Sequence, residues 1–120
     1  MGATGSAKKT AARPSTRLER DKRLLHLGAE ERTVLESFGQ RVRELRLAAS
    51  AAEMAAGGER ITLAVLASRA DLDVSTVGEL ERGRVNASLA VMLRIARVLG
   101  VSVGQLCEPP TQRARKRRAR

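Results

Sequence analysis

Aromatic residues are all but absent: the chain has no Trp, no Tyr and one Phe, Phe38. A core must therefore be aliphatic, made of Leu, Val, Ile, Ala and a few Met. Strand-rich proteins lean on aromatic and β-branched side chains, so this composition favours helix. The single cysteine, Cys107, excludes an intramolecular disulfide, which fits a reducing compartment. The single histidine, His26, lies eighty-one positions away. His and Cys therefore cannot assemble a metal set. Gly57-Gly58 is not a phosphate loop, because no Gly-x-x-x-x-Gly-Lys run exists. A Cys/His nucleophile pair is formally available, but Cys107 is expected to fill an apolar gap at a helix end. Neither catalysis nor a cofactor is expected. No apolar run approaches the ~20 residues that span a membrane, and the N-terminus lacks the apolar stretch of a secretory signal. Residues 1–17 are basic, Ser/Thr-rich and acid-free like a transit peptide, but they lack large apolar residues before Leu18. A cytoplasmic location is expected.

What is present in excess is positive charge, +10 in 120 residues. Its distribution is uneven. Residues 1–33 carry eight basic and four acidic residues, 34–108 carry nine of each, and 109–120 carry six basic and none acidic. The excess therefore lies in two arms flanking a neutral middle. Basic arms of this kind bind nucleic acid or another polyanion; the alternative is a role in solubility alone. The length allows one domain of ordinary size.

Residues 1–15 hold small and basic side chains and bury too little surface to offset ordering entropy, so a disordered basic arm is expected. Residues 16–33 are read as a short extra helix and linker. Thr16 and Glu19 form a capping box, Leu18, Leu24, Leu25 and Leu27 need a partner surface, and Gly28 suits a left-handed stop. The next helix starts near Glu30, with a stripe of Val34, Leu35, Phe38, Val42 and Leu45. Residues 48–56 either continue that helix or form a flexible Ala/Ser loop; their strong helix formers favour continuation as far as Gly57-Gly58. Thr62 then caps a helix bearing Leu63, Leu66, Ala67 and Ala70. Asp71-Leu72-Asp73 turns the chain, and Asp73 caps a helix of about 74–82 carrying Val77 and Leu80. Ser88 caps a helix whose apolar face is read as Leu89, Met92, Leu93, Ala96 and Leu99, closed by Gly100. Ser102 and Gln105 make a capping box for a last short helix. Pro109-Pro110 breaks regular structure, and 109–120 is expected to be a disordered basic tail.

Two short helices joined by a tight turn, the second ended by Gly83, have the layout of a helix-turn-helix. The residue order is more specific. Residues 62–83 read TLAVLASRADLDVSTVGELERG, followed by Asn86, Ser88-Leu89 and IARVLGVSVGQL at 95–106. FGQRVRELR at 38–46 precedes them. Together they closely resemble the Cro/repressor-type (XRE, lambda repressor-like) helix-turn-helix family. The family pattern is Ser/Thr-Gln-x-x-Leu-Ala, a turn, x-x-Ile/Val-x-x-hydrophobic-Glu-x-Gly, Asn-Pro-Ser/Thr-Leu, then Ile-Ala-x-x-Leu-Gly-Val-Ser-x-x-x-Leu. The resemblance implies an all-α, five-helix repressor-like domain over 34–108. Ala67 would lie where two helices cross, and Val42, Leu45, Leu66, Val77, Leu80, Leu93 and Ile95 or Ala96 would close the core.

The resemblance also implies double-stranded DNA as partner. Val74, Ser75, Thr76, Gly78 and Glu79 would face the major groove as the base-reading set. Thr62, Arg82, Arg84, Asn86 and Ser88 would meet phosphates. Arg46 and Glu81 would form a structural ion pair. Three positions depart from the pattern: Leu63 replaces the opening Gln, Asp71 the turn glycine, and Ala87 the Pro after Asn86. Asp71, Asp73 and Glu79 also put acid near the reading helix, so the basic tails are expected to supply affinity. Fifteen residues separate Arg46 from Thr62, more than the family usually has. The insertion at 48–60 is a partner surface, a dimer element or a tolerated lengthening.

The leading expectation is a sequence-specific transcriptional regulator, acting as a homodimer because half-sites one helical turn apart mirror two-fold symmetry. The alternatives are an antitoxin or restriction-system controller with a protein partner, docking through 16–27 or 48–60, and an adaptor that no longer reads DNA.

Overall fold

The computed structural model describes Leu24 and residues 26–111. The arm at 1–15, most of the helix expected at 16–28 and the tail beyond Thr111 lie outside the described residues. Five helices and no strand occur among the described residues: α1 (Ala29–Ala55), α2 (Leu63–Ala70), α3 (Val74–Glu81), α4 (Leu89–Leu99) and α5 (Val103–Leu106). None is long and apolar enough to cross a membrane.

α1 starts at Ala29, next to the Glu30 start read from the sequence. Gly28 is not a left-handed stop; it is extended, at φ −78° and ψ 174°, and stands at the N-cap of α1. Its N–H donates to Glu31 Oε1 at 2.8 Å. Glu30 and Glu31 place negative charge at the positive end of the helix dipole. The helix runs through the Ala-rich stretch to Ala55 and ends in a left-handed turn at Gly57, φ +89°. There the Gly58 N–H reaches back to the Glu53 carbonyl at 2.8 Å. Continuous helix, not a flexible loop, therefore fills most of the insertion.

The shorter helices are positioned by their caps. Thr62 Oγ1 accepts from the Val65 N–H at 3.2 Å and Ser88 Oγ from the Val91 N–H at 3.1 Å. Ser102 and Gln105 exchange bonds of 3.0 and 2.8 Å. Asp71 ends α2 in the left-handed region at φ 58°. The Leu72 N–H closes on the Ala67 carbonyl at 2.8 Å, so a non-glycine residue makes the tight stop. Asp73 stands at the N-cap of α3, though its side chain makes no capping bond.

The core gathers Val42, Ile61, Leu66, Ala67, Val77, Leu80, Ile95, Ala96, Leu99 and Leu106. Two expected core positions are displaced: Leu93 is 41% exposed and Val34 61%. In α4 the inward stripe runs through Met92, Ile95, Ala96 and Leu99. Leu93 lies about 100° round the helix from Met92, at the edge of that stripe, and Leu89 is also exposed. At the end of α5, Leu106 fills the apolar gap and Cys107 is exposed. The segment after α5 does not leave the domain at once. Arg41 Nε donates to the Gln105 carbonyl at 3.0 Å, the Thr111 N–H to Glu44 Oε1 at 3.0 Å, and Pro110 is buried.

Candidate nucleic-acid interface

Two short helices and a three-residue turn, Asp71-Leu72-Asp73, build the site. α3 packs in the angle between α2 and α1. Its inner side is fixed by Val77 and Leu80, at 0% and 1% exposure. Gly39 lets α1 approach the end of α3 closely: a Cβ there would sit 2.5 Å from the Glu81 carbonyl oxygen. Gly83, at φ +77°, does the same beyond α3, where a Cβ would meet the Glu36 backbone at 2.7 Å.

Arg46 and Glu81 lock this arrangement. Arg46 Nε and Nη2 donate to Glu81 Oε2 and Oε1 at 2.7 and 3.1 Å, a bidentate pair. The two side chains are 10% and 6% exposed. Arg46 Nη1 also donates to the Ile61 carbonyl at 3.1 Å. One guanidinium thus ties the C-terminus of α3 to the residue that precedes the α2 cap.

With its inner side pinned, α3 turns its first residues outward. Val74 is 51% exposed, Ser75 is exposed and Thr76 half-buried. The later residues of the expected base-reading set are less open. Gly78 is buried, with Arg82 and Leu63 above it. The Glu79 side chain is 15% exposed and accepts from Arg82 Nη1 at 3.3 Å. The open surface of α3 is therefore its N-terminal turn.

Thr62, Asn86 and Ser88 are exposed and Arg84 is half-buried, while the Arg82 side chain is 60% exposed. Thr62 and Ser88 each head a helix whose first backbone N–H groups have no intrahelical partner, giving two anion-favouring ends. Both hydroxyls accept from their own helices and can still donate outward. Asp71, Asp73 and Glu79 stand near the same surface as opposing charge. No group of His, Cys, Asp and Glu among the described residues is arranged to hold a metal ion.

Sequence reasoning did not find Ser50. It is buried, and its Oγ accepts from the Ile61 N–H at 2.9 Å. A lone Ser among alanines carries no pattern; only the return of the chain at Ile61 gives it a partner.

Among solved structures, the restriction-modification controller protein C.AhdI from Aeromonas hydrophila is 39% identical, over 60% of this chain and 94% of its own, at a TM-score of 0.47. No curated protein matches the chain. Residues 37–107, more than half of the chain, match the helix-turn-helix domain, and the chain belongs to that family, in its Cro/repressor-type form.

Proposed function

We propose that the chain is a sequence-specific DNA-binding regulator of transcription that reads the major groove with the first turn of α3 and acts as a homodimer. The observation that carries this reading is the outward N-terminal turn of α3, held on a rigid base and flanked by two capped helix starts. Val74 suits a thymine methyl, and Ser75 and Thr76 suit base edges or a nearby phosphate. Gly78, under Arg82 and Leu63, offers the groove little surface. Glu79 accepts from a cytosine amino group only where Arg82 releases it. Thr62 and Ser88, with Arg82, Arg84 and Asn86, grip the backbone on either side and set the register.

The middle of the chain is neutral, with nine basic and nine acidic residues over 34–108. Phosphate attraction must therefore come largely from the arms. Six charges lie beyond Pro110; fully engaged, they contribute about −5 to the slope of log K against log salt. The division of labour is affinity from the basic arms and choice of site from α3.

Selection of bound duplexes from random DNA tests the reading. A sharp, two-fold-related motif is the expected result. Salt-sensitive binding without a motif would show backbone association alone, and absence of binding would favour an adaptor or a controller that works through a protein partner.

A further inference from the structure

The insertion that lengthens the chain between Arg46 and Thr62 is built into the domain at both ends of α2. Ser50, on the inner side of α1, takes the Ile61 N–H at 2.9 Å. Arg46, one turn earlier, donates from Nη1 to the Ile61 carbonyl at 3.1 Å. Both backbone groups of the residue before the Thr62 cap are therefore held by α1 side chains, and Ile61 itself is 2% exposed. One turn beyond Ser50, Glu53 Oε2 and Oε1 meet Arg69 Nη1 and Nη2 at 2.9 and 3.1 Å. Arg69 lies in the last turn of α2. The hydrogen bond from Arg69 holds the Glu53 carboxyl below its ordinary pKa, opposed by desolvation and aided by the Arg69 charge.

Without these contacts α2 would follow a loop containing Gly57-Gly58, which has wide conformational freedom. The position of its N-terminus would then be loosely defined. That position matters for the proposed backbone contact. Leu63, the first residue of α2, has no polar side chain to offer a phosphate. The short Thr62 hydroxyl and fixed backbone amides remain, and these cannot adjust to a misplaced helix.

We propose that residues 48–55 form a splint for α2, in which Ser50 and Glu53 are positioning residues that set the α2 N-terminus against the DNA backbone. The inference rests on the reading of Thr62 as a phosphate contact. Preorganised contacts avoid the ordering cost that a mobile helix start would incur on binding. The insertion is thus intramolecular equipment for DNA binding.

The test is a double-mutant cycle on the full chain, bound to a duplex recovered by selection, at a temperature where circular dichroism shows every variant folded. Ser50→Ala is expected to weaken binding about three- to tenfold, the worth of one hydrogen bond. Thr62→Ala is expected to weaken it as well. If Ser50 positions the α2 N-terminus, the double variant loses less than the sum of the two single losses, because Thr62→Ala has already removed one of the contacts that Ser50 places. Amide exchange at 61–64 should quicken in Ser50→Ala. Full additivity, or unchanged affinity in a folded Ser50→Ala chain, would overturn the splint. No effect of Thr62→Ala would instead overturn the phosphate reading on which the splint rests. Should Ser50→Ala not fold, Glu53→Gln runs the same cycle from an exposed pair whose loss a fold tolerates, with coupling to Thr62 supporting the splint and additivity refuting it.

Discussion

Glu81→Ala is the substitution for which the structure makes the sharpest demand. The Arg46–Glu81 pair is bidentate, at 2.7 and 3.1 Å, and nearly closed to solvent. Removing Glu81 leaves the guanidinium buried with the Ile61 carbonyl as its remaining hydrogen-bond partner. Breaking such a pair from one side costs about 3–5 kcal/mol, because an uncompensated charge stays inside. The retained bond to Ile61 places the expected loss at the lower end, about 3 kcal/mol. A domain has about 5–15 kcal/mol in all, and each kcal/mol moves the thermal midpoint of one this size by about 4–8 °C. The midpoint should therefore fall by about 12–24 °C. Urea and thermal unfolding followed by helical circular dichroism measure both quantities. Replacing both partners, Arg46→Met with Glu81→Leu, should recover part of the loss, since an apolar pair carries no stranded charge although the Ile61 carbonyl loses its Arg46 donor. A loss below about 1 kcal/mol for Glu81→Ala, the range of an exposed pair, would refute the reasoning. So would a double variant as unstable as the single.

Three further outcomes follow from the same packing. Gly39→Ala would drive a Cβ to within 2.5 Å of the Glu81 carbonyl; the resulting shift of α3 should cost about 1–3 kcal/mol in urea unfolding. Asp71→Gly relieves a left-handed residue at φ 58° and should stabilise by about 0.5–1 kcal/mol; losing the acid should also tighten DNA binding in fluorescence anisotropy. Truncation after Thr111 removes six basic charges and no acid, so the salt slope of DNA binding should flatten by about 5 with the preferred motif unchanged.

The helices and their order were legible because their signals are local. Thr62, Ser88 and Ser102 cap where the chain has small hydroxyls before apolar periods, and Gly57 and Gly100 end helices where left-handed turns are needed. The rotation of each helix was harder to read. α4 carries nine apolar residues among its eleven, counting Ala and Met, so several stripes fit, and only packing against α2 and α5 selects Ile95 over Leu93. The outer turn of α3 was legible from the family pattern. The covering of Gly78 and Glu79 was not, since it depends on where Arg82 and Leu63 fall after folding. Ser50 and the close approach at Gly39 were invisible for the same reason: each has its meaning only through a partner eleven or more residues away.

The central claim is that the first turn of α3 chooses the DNA site while other parts of the chain hold the backbone. The most direct measurement is the ratio of affinities for a selected duplex and a scrambled one, in the parent chain and in Val74→Ala and Ser75→Ala. A lost base contact is worth about 1–3 kcal/mol of discrimination, so the ratio should fall about fivefold or more with affinity for the scrambled duplex unchanged. A ratio that survives both substitutions in a folded chain would contradict the claim.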